Sequence, residues 1–400
     1  MSIRVTQWIA NMAQPLLSLS FNLGGLLAGV LLAVYFNIFS LTPWSLALFP
    51  GILSIRGSIG GLFCGRLSTS LHLGTIRASF RGNTNEFKLL LYTVIIIALE
   101  SSIIFGTTSS ILGIFLWGIT PLDVFNILVA ITSTMAFSLI LISPLTVGVA
   151  ILSFKRGLDP DVIVYPVIST SADILVSICY FLSLIGLFTW RPLGTYILLF
   201  FDLIFAGIVL YLLKEKGRES DLIKTVKEFT LTLVFVTLIV NVTGFALGKI
   251  SRSIGNRPEV YMVYPVLIDT LGDAGSIIGS TATTKLALGT VSSSLSSIKK
   301  HLSVIVNTWL ASILIFVLCA LVSSISFGAT GSGYSYLTYI AQLLMTNIVA
   351  VFFVSLIAYT IALFTYRWGL DPDNFVIPLE SSLTDAITTL SLLIAISVIP

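Results

Sequence analysis

The stretch GLDPDVIVYPVISTSAD, from Gly157 to Asp173, returns in altered form as GLDPDNFVIPLESSLTD from Gly369 to Asp385, 212 residues later. Nine of the seventeen aligned positions are identical, and three of those nine are aspartates. Asp173 lies twelve residues after Asp161, as Asp385 does after Asp373. On a helix that is ~18 Å at 1.5 Å per residue, deep in a hydrocarbon layer ~30 Å thick. A carboxylate there costs at least ~2.5–3.5 kcal/mol on insertion scales, so it should face protein, water or a cation. One such aspartate could be a structural hydrogen-bonding residue. A pair at matching positions of a repeat points to a functional site.

A second pair of segments repeats too. FPGILSIRGSIGGLFCGRLSTSLHLGTI (49–76) aligns with YPVLIDTLGDAGSIIGSTATTKLALGTV (264–291), with eight of twenty-eight positions identical. The second copy carries Asp269 and Asp273, spaced i and i+4 and therefore on one helical face. The first copy has Ser54 and Ser58 there. Gly272, Gly275 and Gly279 thin this helix, either for close packing or for a break that exposes carbonyls. Carboxylates, hydroxyls and carbonyls without histidine or thiol are hard oxygen donors. They suit Mg²⁺, Ca²⁺ or Mn²⁺ and disfavour Zn²⁺ or Cu⁺. Mg²⁺ gives up its waters reluctantly, so a wide site around a hydrated ion is the natural design.

Other polar groups have weaker readings. Glu100 lies in the third span and Asp202 in the sixth, neither with a clear repeat mate. Glu100 could couple protons or sodium, and a structural hydrogen bond is the favoured reading. Glu380, aligned with Ile168, is placed at a cytoplasmic vestibule. The pairs Asp159/Asp161 and Asp371/Asp373 either cap helix starts or concentrate cations at an entrance. His72 and His301 are expected in cytoplasmic loops, solvated. Cys64, Cys179 and Cys319 lie far apart in apolar runs, as packing positions and not a disulfide framework or metal set.

The elements that must position these groups follow from composition. Of the residues, 56% are hydrophobic and only 10% charged, with mean hydropathy +1.04; a soluble domain carries about a quarter charged residues. Apolar runs of about twenty residues recur along the chain, which predicts an all-α polytopic membrane protein embedded in the lipid bilayer. A β-barrel is excluded because the runs do not alternate. The net charge of +3 carries no nucleic-acid signature. The N-terminus shows no tidy cleavage site and is read as uncleaved.

Eleven spans are expected, at roughly 16–39, 44–67, 88–116, 122–153, 161–188, 192–213, 227–249, 260–284, 302–327, 335–364 and 374–399. With the N-terminus inside and the C-terminus outside, fifteen of twenty-one basic residues fall on cytoplasmic segments or helix ends. Arg56 and Lys285 lie within spans, and Lys249, Arg252 and Arg257 are the main discord. The segment 192–213 has no repeat partner and supplies one extra crossing. The two five-helix copies therefore sit parallel, about an axis along the membrane normal. The organisation is a first repeat at 1–190, a linker span and loop at 191–225, and a second repeat at 226–400.

At these residues the sequence resembles the MgtE and solute carrier 41 family of magnesium transporters. The stretch around RGS…GRLST…LG at 50–74 is similar to that family's second-helix signature, and LDPD…P…S…D to its fifth-helix signature. The resemblance implies a Mg²⁺ pathway lined by the second and fifth helices of both five-helix units, with Asp173 and Asp385 facing each other across it. Ser169 and Ser381 match the position whose backbone carbonyl lines the family's ion site. Ser58 and Asp273 match a polar second-helix position that is usually Asn, a departure from the pattern. It further implies a cell-membrane location, no organic cofactor and a pseudo-dimer, with function as a single chain or as a higher oligomer both open; the short loops hold no cytosolic sensor or CBS domain to act as a feedback gate. Two other readings stay open. One is a Na⁺- or H⁺-coupled antiporter. The other is an intramembrane aspartyl protease, since TLGDAG (270–275) has a superficial likeness to that motif; an enzyme is the least favoured of the three.

Overall fold

The structure is a computed structural model that describes residues 12–80, 82–156, 160–255, 257–287, 289–292, 294–327, 336–368 and 372–399. Of the acidic residues expected to cap helix starts, Asp159 and Asp371 lie outside these residues, as do the side chains of Asp161 and Asp373.

Among the described residues, eleven long helices run through the chain. They are α1 (Met12–Val34), α2 (Pro43–His72), α3 (Asn85–Leu116), α4 (Pro121–Lys155), α5 (Pro160–Phe188), α6 (Leu193–Lys216), α7 (Ser220–Ile254), α8 (Pro258–Ala287), α9 (Leu302–Phe327), α10 (Tyr336–Trp368) and α11 (Pro372–Val398). The described residues include no strand. Ten of these helices are long and apolar enough to cross a membrane. The remaining one, α8, is also 30 residues long and carries Glu259, Asp269, Asp273 and Lys285. The chain is an all-α polytopic membrane protein. Its outer face shows why it needs lipid: α6 alone exposes Leu193, Phe200, Leu203 and Leu210 by more than 60%, apolar area that water would not tolerate at this density.

The helix ends are chemically marked. At the start of α4, Thr120 accepts from the Asp123 amide while the Asp123 carboxylate accepts from the Thr120 amide, a capping box with Pro121 in the first turn. The repeated L-x-L-G-T ending is a helix stop. After α2, Gly74 (φ 72°) donates to Leu71 O and Thr75 N donates to Ser70 O at 3.0 Å; after α8, Gly289 (φ 67°) donates to Leu286 O and Thr290 N to Lys285 O at 3.0 Å. Both are Schellman caps, in which glycine takes the left-handed conformation without a side-chain penalty. Two stretches of one ancestral unit thus end their second helix with the same bonds.

The chain divides into two compact units, and they do not follow chain order. One is Tyr35–Asn241; the other joins Val242–Pro400 to the chain up to Val34. In the latter, α1 packs along α8, with Gly25 against Val266 and Gly29 against the Met262 carbonyl. The first span of the chain is therefore part of the unit built on the second repeat, while α7 passes from one unit to the other. The core of Tyr35–Asn241 includes Trp44, Phe49, Phe105 and Tyr180, all fully buried, and the Tyr180 hydroxyl donates to Ser45 O at 2.6 Å across α5 and α2.

Candidate functional site

In the unit containing Val242–Pro400, α8 and α11 form an acidic seam. Tyr264 and Thr389 share a hydrogen bond of 2.9 Å between their hydroxyls. Lower along the pair, Gly272 faces Ser381 and Gly275 faces Glu380. Numbers rise on one helix as they fall on the other, so the helices are antiparallel and Asp269 comes to the level of Asp385. Glu380 is buried; its carboxylate accepts from Ser276 Oγ at 3.3 Å and Thr384 Oγ1 at 3.1 Å. It lies in the packed seam between the two helices, at the start of the apolar stretch Leu379–Val398.

The glycines of α8 now have one reading. The helix is continuous from Pro258 to Ala287, so they do not break it. A Cβ at Gly275 would lie 2.0 Å from Glu380 Oε1, which makes its missing side chain the space that Glu380 occupies. At Gly272 a Cβ would clear Ser381 Oγ by 3.9 Å.

Asp385 is 5% exposed and Asp273 and Asp269 are half-buried. Asp273 Oδ2 accepts from Asn22 Nδ2 at 2.8 Å, a bond from α1 to α8 that spans 251 residues of sequence. Sequence reasoning misses Asn22, because a lone amide in an apolar first span carries no signal by itself. Ser381 sits one turn before Asp385 and is half-buried.

The unit Tyr35–Asn241 holds the mates. Asp173 is 8% exposed on α5 and Ser169 half-buried one turn earlier. Ser58 donates to Ser54 O at 3.0 Å, turning its hydroxyl onto its own helix. Among the described residues, a Cβ at Gly57 or Gly60 would meet nothing within 4 Å, unlike one at Gly275 on α8. Arg56, aligned with Leu271, is 2% exposed, and its three guanidinium nitrogens have no hydrogen-bond partner among the described residues. Among the described residues the two copies thus differ in charge: four acids along one seam, one acid and a buried cation in the other.

Among the described residues, no three His, Cys, Asp or Glu side chains converge closely enough to hold a metal ion directly. The seam can instead present carboxylate, amide and hydroxyl groups to an ion that keeps water around it.

The remaining polar groups resolve as structure. Glu100 accepts from Thr230 Oγ1, as the structural reading expects, and Asp202 from the buried Ser133 at 2.8 Å. The three cysteines are free and buried. His301 corrects the expectation of a solvated loop residue: it is fully buried, with Nε2 3.0 Å from Ile278 O and Nδ1 3.2 Å from Lys285 Nζ. A carbonyl can only accept, so Nε2 carries the proton and Nδ1 accepts from the ammonium. The basic discord at 249–257 also has a partial account. Arg257 is 3% exposed, bonded to Glu259 at 2.8 Å and Gln342 at 3.1 Å, so it is a buried pair and not a topology-setting loop charge. Lys249 lies over the Phe245 ring at 5.4 Å; nothing in the structure explains Arg252.

Comparison with known families bears on both seams. A family model described as MgtE, divalent cation transporter, matches residues 49–183 and 264–395. Each match opens on the second helix of a repeat and closes on the fifth. No curated protein and no solved structure matches the chain.

Proposed function

Because the chain belongs to the MgtE family of divalent cation transporters, we propose that the ion it carries is Mg²⁺ and that α2, α5, α8 and α11 line its pathway. It is a transporter and not an enzyme, and the aspartates serve an ion, not a peptide bond. The observation that carries the proposal is the α8–α11 seam, where Asp269, Asp273, Glu380 and Asp385 stand on two packed antiparallel helices, with the Asn22 amide on Asp273 and the Ser276 and Thr384 hydroxyls on Glu380.

Four carboxylates in an apolar bundle are costly unless a cation balances them. Their spread favours a hydrated ion held through water, the mode that suits Mg²⁺ best; Ca²⁺ and Mn²⁺ share the donor preference and should compete. Asp173 would complete the set from the first repeat, with Ser169, Ser381 and Ser58 supplying hydroxyl or carbonyl oxygens. The proposed arrangement keeps the N-terminus cytoplasmic and the C-terminus outside, with repeats at 1–190 and 226–400 about the linker 191–225 and one chain sufficing.

Mg²⁺ flux into proteoliposomes, read by an internal dye, tests this for wild type and for Asp173→Ala with Asp385→Ala. Expected is saturable wild-type flux reduced at least about tenfold in the double variant, the scale of losing buried charged contacts worth ~1.4 kcal/mol or more. A monodisperse double variant that conducts like wild type sinks the pathway. Flux that requires a Na⁺ or pH gradient would replace passive transport with the coupled reading.

A further inference from the structure

The sequence N-x-x-G-x-x-x-G occurs at Asn22–Gly29 in α1 and again at Asn241–Gly248 in α7, 219 residues on. The spacing i, i+3, i+7 puts the amide and both glycines on one helical face. These are the first spans of the two repeats, and both lie outside the segments that match the family model.

Among the described residues, only one copy of the motif is engaged with a carboxylate. On α1, a Cβ at Gly29 would fall 1.8 Å from Met262 O, and one at Gly25 would sit 3.6 Å from Asp269 Oδ2, so the two glycines let α1 lie directly on α8. Asn22, 6% exposed, then reaches Asp273 at 2.8 Å. The chain is tightened into a 3₁₀ turn over Phe21–Gly25, the stretch that carries the amide. On α7 the arrangement differs. Among the described residues a Cβ at Gly248 would meet nothing within 4 Å, and Asn241 donates back to Thr237 O at 2.6 Å. The aligned α2 position is Ser58, a hydroxyl where α8 has Asp273.

We infer that Asn22 is a positioning residue for transport, fixing the Asp273 carboxylate by a charge-assisted hydrogen bond from the first span. The inference rests on the reading that Asp273 faces the transported ion. An amide NH₂ is suited to this task. It donates to the carboxylate without neutralising it, and therefore leaves the charge available to a cation, where a lysine would cancel it. The bond also selects one rotamer of Asp273, so one carboxylate oxygen is committed to Asn22 and the other is left to address water or ion. The duplicated motif supplies the scaffold in both repeats, and the carboxylate partner decides where it acts.

The test measures Mg²⁺ flux against Mg²⁺ concentration in proteoliposomes holding the full chain. The variants are Asn22→Leu, Asn22→Ala, Asp273→Asn and the pair Asn22→Leu with Asp273→Asn. Asn22→Leu keeps the volume and removes the donor; Asn22→Ala removes the donor with less bulk and serves if the first does not yield monodisperse protein. Expected is a rise of about tenfold in half-saturating Mg²⁺ for either Asn22 variant with maximal flux little changed, as for one lost charge-assisted bond. The Asn22→Leu effect should vanish in the Asp273→Asn background. An equal effect in both backgrounds overturns the inference, because the amide then matters only for packing. So does an unchanged half-saturation in Asn22→Leu when Asp273→Asn is impaired. Wild-type behaviour of Asp273→Asn alone removes the ion-facing role of Asp273, a distinct failure that takes the inference with it.

Discussion

Gly275 shows at the scale of one residue how a missing side chain serves a charge. Glu380 occupies the volume a Cβ would need, and there its carboxylate accepts from Ser276 and Thr384. Gly275→Ala must either swing the carboxylate away from Ser276 or push α11 off α8, an overpacking cost of about 1–3 kcal/mol. Flux should fall severalfold, whereas Gly272→Ala, which has room beside Ser381, should stay near wild type. Equal flux in the two variants would show that Glu380 does not depend on this fit. The acids themselves are visible in the sequence, since Asp269, Asp273, Glu380 and Asp385 stand out in apolar text. Their partners are not. Asn22 and Ser276 become meaningful only when packing brings distant segments together; the amide–carboxylate bond crosses 251 residues and the Ser276–Glu380 bond 104.

Among the elements, the spans are legible because twenty apolar residues have few other uses, and the repeat is legible because its glycine caps and mid-span acids recur. The connection between α8 and α9 is not. Its serines and lysines read as a solvated loop, yet the 3₁₀ segment Leu295–His301 is fastened at both ends of its length. Ser297 and Tyr359 share a hydroxyl contact of 2.7 Å, and His301 bridges Ile278 O and Lys285 on α8. Hydropathy counts polarity and cannot see that Ser297 and His301 have found partners. His301→Ala would leave a carbonyl and an ammonium short of a bond, a loss of roughly 1–3 kcal/mol. Hydrogen exchange over residues 295–301 should quicken by one order of magnitude or more, with α3 and α4 unchanged. Unaltered exchange would mean that the segment is held without His301, by Ser297 on Tyr359 and its apolar contacts.

At the scale of the whole molecule, the compact units cut across the repeats, and duplication alone could not have revealed it. Equal copies fold equally only if each span packs with its own sequence neighbours, and α1 packs instead with α8. Two helices approach this closely because Gly29 has no Cβ to set against the Met262 carbonyl; the small-residue seam replaces a hydrophobic driving force that lipid does not provide. The same contact carries Asn22 to Asp273, so the spacing of α1 and α8 and the placement of a carboxylate are one property. Gly29→Leu tests that union from outside the seam. The substitution lies in the first repeat by sequence, and the damage should appear in the second: faster exchange across α8 and raised half-saturating Mg²⁺, while the Trp44–Tyr180 core of the other unit keeps its protection. The loss should be about 1–3 kcal/mol or more, since backbone and not a flexible side chain stands in the way. Loosening confined to α2–α5 would instead assign α1 to the repeat that it begins, and the partition of the chain would return to sequence order.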